Sequence, residues 1–494
     1  FAHLEEWGEL IARAGSAYTK RKKEANALDF DDLLSATVGL LENHPTVPDV
    51  YQRKFQFVLV DEYQDTNPLQ SKFIDLLSSR HRNLMAVGDD AQAIYSWRGA
   101  DYRNILSFAT RYPGANVYKV ETNYRSTPEI LEVANAAIEQ MQSPLRKELV
   151  SARTSGTLPR LIPLQTGAQQ ARFVVSRMLE LSDEGVGWDE MAVLYRAHYH
   201  SMELQMELTR AGIPFQITSG LRFFEQAHVK DVSAFLKFVV NPLDEIAFKR
   251  MVRLLPGIGD RSADSLWKGI ASQGRDALAQ RQSASPSFSF EAAFASQKVP
   301  ARSASAWKQL GHTLEEIAPG GVPLPPLQML ELVRLAIYDD YARSKFPDYD
   351  MRKEDLNTLA QFASQYPGVQ DFLDQLALMG AAEQGAATRD ESGEMVTLSS
   401  VHQAKGLEWK AVFVIWLTEG MFPSQRSLPD PEALEEERRL FYVAVTRAED
   451  DLYLCWPFIK RNAGGGDALQ RISPFLEEIS GGLLEEWSIS GGGF

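Results

Sequence analysis

Cysteine is nearly absent: Cys455 is the single one in 494 residues. No internal disulfide can form, and the pattern fits a reducing compartment, so a cytoplasmic protein is expected. Long apolar runs are missing as well. Stretches such as Ala411–Leu417 (AVFVIWL) are strand-sized, far short of the roughly 20 residues that span a bilayer as a helix, and no membrane partner is expected. Positive charge is in deficit, with 51 Lys and Arg against 66 Asp and Glu and a net charge of −15. That balance argues against a generally basic nucleic-acid coat but leaves room for a local basic groove. No internal repeat is visible, and the GGG runs near residues 464 and 491 read as loose loops.

What is present is ordinary globular material, 44% hydrophobic and 24% charged. The length exceeds what one core organises and suggests about three or four domains. Short apolar runs at Phe57–Val60, Leu84–Val87, Met191–Tyr195, Ala411–Leu417 and Leu452–Trp456 read as strands buried on both faces, as in parallel sheets. Stretches with helical spacing, such as Glu129–Met141 and Ser201–Ala211, lie between them. The alternation predicts an α/β fold. Residues 223–393 read as an all-helical insertion with loops at Ser283–Ser289 and Pro319–Pro326, and strand-type sequence resumes at Met395–Leu398.

Chemistry gathers where apolar runs stop. In VLVDEYQDTN (58–67) a strand runs directly into Asp61 and Glu62. Acids at the carboxyl end of a parallel strand face an open crevice, where one can hold Mg²⁺ on a nucleotide and the next can orient or deprotonate a water. A solvated strand end followed by a helix cap is the plainer alternative. AVGDDAQAIYSWRGAD (86–101) follows a second strand. Its Gln92 can contact a γ-phosphate, and Tyr95 and Trp97 offer flat faces to bases, unless they are simply core. NYRSTPEI (123–130) sets Arg125 before a helix N-terminus, with Ser126 and Glu129 spaced as a capping box. In EEERRLFYVAVTRAEDDLYL (435–454), Arg447 follows Phe441–Val445, a strand-like or buried helical run. A guanidinium there suits developing phosphate charge, or it pairs with Glu449 or Asp450. The Gly257-Ile258-Gly259 turn could offer backbone N–H groups to a phosphate or serve as a tight helix–helix turn.

These blocks, in this order, resemble the UvrD/Rep-type superfamily 1 DNA helicases. The resemblance covers nearly the whole chain and includes ALDFDDLL (27–34), VLYRAHYHS (193–201), FFEQAHVKD (223–231), VHQAKGLEWKAVFV (401–414) and EGMFPSQRSL (419–428). It implies two RecA-like parallel-sheet motor lobes around ATP, each interrupted by an insertion. Mapped here, residues 1–53 are the end of the first-lobe insertion and 54–121 the later part of lobe one. Residues 122–222 and 394–494 form lobe two, and 223–393 its helical insertion. By the same resemblance Asp61 is the Mg²⁺ ligand, Glu62 the catalytic base and Gln92 the γ-phosphate contact. Arg125 and Arg447 reach the γ-phosphate from lobe two. Tyr124 stacks on adenine, Glu408 binds ribose, and Arg98 links nucleotide state to the DNA groove. Phe30, Tyr95 and Trp97 stack on single-stranded bases, and His402 and Lys405 lie in the motif that tracks the DNA backbone. The implied activity is ATP-driven 3′→5′ travel on single-stranded DNA, with duplex unwinding at junctions, in repair or replication.

One element of the family pattern is missing. No G-x-x-x-x-G-K-[ST] occurs in the 494 residues, and that loop supplies phosphate-binding N–H groups, a lysine and a Mg²⁺-sharing hydroxyl. The chain opens on Phe1 rather than Met, so the expectation is that an upstream portion carries the loop and that this stretch alone does not hydrolyse ATP. The alternative is a catalytically silent single-strand DNA-binding or scaffold protein of helicase fold.

Overall fold

The computed structural model describes residues 7–25, 27–141, 145, 147–218, 226–281, 289–346, 349–364, 366–386, 393–461 and 467–488. Both GGG runs, most of the Ser283–Ser289 loop and the start of FFEQAHVKD lie outside the described residues. The chain divides into two compact units. The first comprises residues 1–122, 138–150 and 435–443, and the second 123–137, 151–434 and 444–494.

The first unit is built on a parallel strand pair, β1 (Val58–Val60) and β2 (Leu84–Ala86), in the register Val58 to Leu84 and Val60 to Ala86. Helix Pro68–Ser78 connects them. Its start is fixed locally. Asn67 Oδ1 accepts the Gln70 N–H at 2.8 Å, Gln70 Oε1 accepts the Asn67 N–H at 2.9 Å, and Pro68 occupies the first turn, where no N–H is needed. The expectation that these two strands are buried on both faces is not met. Side chains alternate across a strand, and Leu59 and Met85 are 72% and 57% exposed, beside exposed Phe57 and Val87. Among the described residues one face of this pair stays open.

The second unit is built on a seven-stranded sheet. Its strands are β3 (Arg160–Leu164), β4 (Met191–Tyr195), β5 (Phe215–Ile217), β6 (Val396–Ser400), β7 (Trp409–Val414), β8 (Ala448–Pro457) and β9 (Glu485–Glu486). They stand in the order β9-β3-β8-β7-β4-β6-β5, and every neighbouring pair is parallel. β4 and β6, inside the sheet, are buried at every residue, as a sheet covered on both faces requires. Helix Gly167–Asp183 crosses from β3 to β4 and buries Ala171, Val174, Val175, Met178 and Leu181 along one stripe. Helix Met202–Ala211 leads to β5 and ends on Gly212 at φ 71°, a left-handed cap that glycine adopts without penalty. β7 ends at Val414, short of the expected Leu417, and Trp416 takes φ 60°, a left-handed kink after which the Leu417 N–H still donates to Cys455 O at 3.0 Å.

Between β5 and β6 the described residues hold helices and no strand, from Ala227–Val240 to Val369–Ala386. Their core joins Phe235, Phe238, Phe248, Phe294 and Trp307 to Met202 and Met206 of the helix that leads to β5. Buried polar groups pin it. Asp231 accepts Arg250 Nε at 2.7 Å and Tyr338 Oη at 3.0 Å, so the carboxylate enters the interior fully partnered.

Candidate functional site

In the first unit the expected acids stand at the carboxyl end of β1, and both are exposed. Asp61 Oδ1 accepts the Glu62 N–H at 2.8 Å. Glu62 has φ 51° and ψ 40°, a left-handed conformation that costs a residue with a Cβ and persists only where neighbours impose it. They do so here. The Tyr63 N–H donates to Val87 O at 2.9 Å, and the Val87 N–H donates to Val60 O at 2.8 Å, locking the bend to β2. The Tyr63 ring is fully buried, and its hydroxyl accepts Arg111 Nη2 at 2.6 Å. Arg111 in turn donates to Ser71 at 2.7 Å and Asp75 at 2.9 Å on helix Pro68–Ser78.

The second strand end holds Gln92. Its Nε2 donates to Asp89 Oδ2 at 2.8 Å, while Asp89 Oδ1 accepts the Ala91 N–H at 3.0 Å. Lys147 pairs with the same carboxylate. Beyond it, Trp97 is 64% exposed and Tyr95 half-buried, so Trp97 is not a core residue. The Arg98 guanidinium lies 4.7 Å from the Trp97 ring centre and 5.6 Å from that of Tyr95, a cation–π stack that holds a positive charge beside flat faces. Phe30 is 91% exposed at the start of helix Phe30–Asn43, which Asp29 and Asp32 cap reciprocally.

In the second unit three predicted residues converge. Arg125 pairs through Nε with Glu408 and donates from Nη1 to Thr446 O at 3.4 Å. Arg447 is buried and donates to Leu407 O and to Thr446 Oγ1, both at 3.1 Å. The Trp409 N–H returns to Arg447 O at 3.0 Å. Arg447 therefore follows a helix, Pro431–Val445, and is held by the 407–409 segment. Around this pair the Ser126 hydroxyl donates to Ala448 O at 2.6 Å, and Glu129 accepts the Gly156 N–H at 2.9 Å and the Ser155 hydroxyl. Both side chains of the anticipated capping box thus reach outside their helix. Burial, with Glu408 and Asp450 nearby, raises the Glu449 carboxyl above its ordinary value, against the pull of Arg153 and Arg125. Tyr124 is 79% exposed. His402 and Lys405 are half-buried in the segment after β6 that leads to Leu407. In the helical part, Gly257 has φ 83° and its carbonyl accepts Arg302 Nη2 at 3.2 Å, so the turn is braced from residue 302.

No cluster of three or more metal-ligating side chains occurs among the described residues. A lone exposed Asp61 nonetheless suits Mg²⁺, which takes one or two carboxylates and completes its shell with substrate phosphates and water.

Two family models cover these segments. The UvrD/REP helicase N-terminal domain matches residues 5–113. The UvrD-like helicase C-terminal domain matches residues 118–284 and 331–457. The chain belongs to this UvrD-like helicase family. The ATP-dependent DNA helicase PcrA of Leuconostoc citreum is 33% identical over 97% of this chain and 64% of its own length. DNA helicase II of Escherichia coli K12 is 34% identical over 98% of this chain and 68% of its own. PcrA of Bacillus subtilis is 33% identical over 97% and 65%. The chain thus spans about two thirds of the length of these helicases. Sequence motifs alone do not single out the residues that anchor the candidate ones: Gln64 bonds Glu62, Asp89 bonds Gln92, Arg111 bonds Tyr63, Arg153 donates to the Arg125 carbonyl, and Thr446 bonds Arg125 and Arg447. Gln64 left a trace, as a polar residue between acids in VLVDEYQDTN. The others show only through partners distant in sequence.

Proposed function

We propose that this chain is the motor portion of an ATP-dependent DNA helicase that travels 3′→5′ on single-stranded DNA and opens duplex at junctions, in repair or replication. The observation that carries the reading is the meeting of Arg125 and Arg447 on Thr446 beside Glu408. Arg125 comes from a segment distant in sequence to reach the residue that precedes Arg447, and a γ-phosphate rewards paired guanidinium groups. The relatives named as ATP-dependent DNA helicases support the same reading.

In this mechanism Glu62 orients the attacking water and accepts its proton, and Gln92 contacts the γ-phosphate. Arg125 and Arg447 stabilise charge on the transferring group. Tyr124 stacks on adenine and Glu408 binds ribose. Asp61 would hold Mg²⁺, which when bound offsets phosphate charge. Trp97 and Tyr95, with Phe30, grip bases, Arg98 connects their loop to the nucleotide face, and His402 and Lys405 follow the DNA backbone. Hydrolysis requires a phosphate-binding loop, and G-x-x-x-x-G-K-[ST] does not occur in these residues. The 494-residue chain alone is therefore inactive in this account.

The test is Glu62→Gln in the protein that carries such a loop, with ATPase measured at saturating single-stranded DNA. A loss of about 100-fold or more is expected of a general base. Activity near wild type removes Glu62 from that role.

A further inference from the structure

We propose that Gln64 is a positioning residue that ties the base Glu62 to the phosphate sensor Gln92 through Asp89. The proposal rests on the reading of Glu62 and Gln92 given above.

Gln64 is fully buried, yet both ends of its amide are engaged. Nε2 donates to Glu62 Oε2 at 2.6 Å, and Oε1 accepts the Asp89 N–H at 3.1 Å. The orientation is chemically forced. A backbone N–H only donates, so the amide atom facing Asp89 is the oxygen, and the NH₂ group must face the Glu62 carboxylate. Asp89 then carries the connection forward, because its carboxylate accepts Gln92 Nε2 at 2.8 Å. Base, amide, acid and sensor are linked in series within the first unit, the step through Asp89 running covalently from its backbone N–H to its carboxylate. Lys147 completes the balance of charge at Asp89.

Two further features show that this is a built arrangement. Glu62 occupies the left-handed region, where its backbone would relax unless restrained, and the Gln64 amide is a restraint that acts on its carboxylate. Gly88 leaves the room for that amide, since a Cβ there would collide with Gln64 Oε1 and Ile105. No other side chain fills the role. Asparagine is a methylene too short, glutamate would set a second negative charge against Glu62, and methionine matches the volume without donor or acceptor.

The consequence is mechanical. A phosphate that draws Gln92 also moves Asp89, and the shift reaches the base through Gln64. Contact at the sensor is thereby coupled to the position of the base.

The experiment uses Gln64→Met and Gln64→Glu in the full-length protein. Both are expected to lower kcat for single-strand-stimulated ATP hydrolysis about 10- to 30-fold, with KM for ATP within about threefold. Gln64→Glu should be the more severe because it replaces the donor with a repelling carboxylate. Combined with Glu62→Gln, neither should reduce kcat further, because both act through one group. Independently of turnover, amide hydrogen exchange at Asp89 should accelerate in Gln64→Met while the melting temperature stays within a few degrees. If Gln64→Met does not fold, Gln64→Glu carries the same kinetic comparison. Should Glu62→Gln abolish turnover while the Gln64 variants keep kcat within twofold, or should their losses multiply with that of Glu62→Gln, the positioning role is overturned. Normal turnover by Glu62→Gln itself would instead overturn the assignment of the base.

Discussion

The two units place chemistry at the ends of parallel strands, but they bury those strands differently. In the second unit β4 and β6 are enclosed at every residue. In the first, Leu59 and Met85 look outward from the parallel pair β1 and β2. VLV at 58–60 and MAVLY at 191–195 are alike as apolar runs. An apolar run thus reports that a strand prefers cover, and the number of layers around it decides whether that preference is met. Glu62 is fixed by Val87, Tyr63 and Gln64, all close to the strand ends.

The sharpest way to break this comparison is to remove an apolar side chain from each sheet. Phe413 is fully buried and stacks on Tyr453 with ring centres 4.5 Å apart. Phe413→Ala is expected to destabilise the second unit by about 3–5 kcal/mol. Leu59→Ala should change stability by less than about 0.5 kcal/mol, as an exposed position does. Chemical denaturation of the 494-residue chain measures both, and equal losses would show that the open face is covered in solution.

Next in size is a pH effect confined to the second unit. Burial, with a smaller contribution from Glu207, raises the Glu203 carboxyl from 4.5 to about 7, and its Oε2 has no hydrogen-bond partner among the described residues. The folded state then holds this proton more tightly than the unfolded state. Below about pH 4.5 both states are protonated and the residue costs nothing. From there to about pH 7 stability falls as pH rises, and above that the cost of roughly 3 kcal/mol is fully present. Glu203→Gln should therefore melt higher than wild type at pH 8 and match it near pH 4. A gain that is the same at both pH values would refute the shift.

The smallest effect belongs to the first unit's surface. Trp97→Ala should weaken single-strand DNA binding by about 1–3 kcal/mol and leave the melting temperature unchanged, because the ring is largely exposed. Fluorescence anisotropy with an oligonucleotide reads the first quantity. Unaltered affinity would assign Trp97 and its Arg98 stack to another task.

The α/β class was legible because buried parallel strands leave continuous apolar runs. β3 was not, since Arg160 and Pro163 interrupt its pattern. Arg160 is tolerated there because Asp451 pairs with it and its guanidinium lies 5.0 Å and 5.2 Å from the Tyr453 and Trp487 ring centres. The run Phe441–Val445 left strand and helix open, as five apolar residues must, and it is helical. In the candidate site the acids, Gln92 and the two arginines are named by the motif resemblance. Their supports are not, because a bond such as Gln64 to Asp89 joins residues whose proximity only the fold decides.

The central proposal is that Arg125 and Arg447 stabilise charge on the phosphate attacked by the water that Glu62 orients. Arg125→Ala in a protein that carries the phosphate-binding loop tests it most directly, with ATPase and nucleotide affinity measured together. The account predicts a fall in kcat of about 10³-fold, as for other arginines at a transferring phosphate, with nucleotide affinity within about tenfold of wild type. Turnover within threefold of wild type would contradict it.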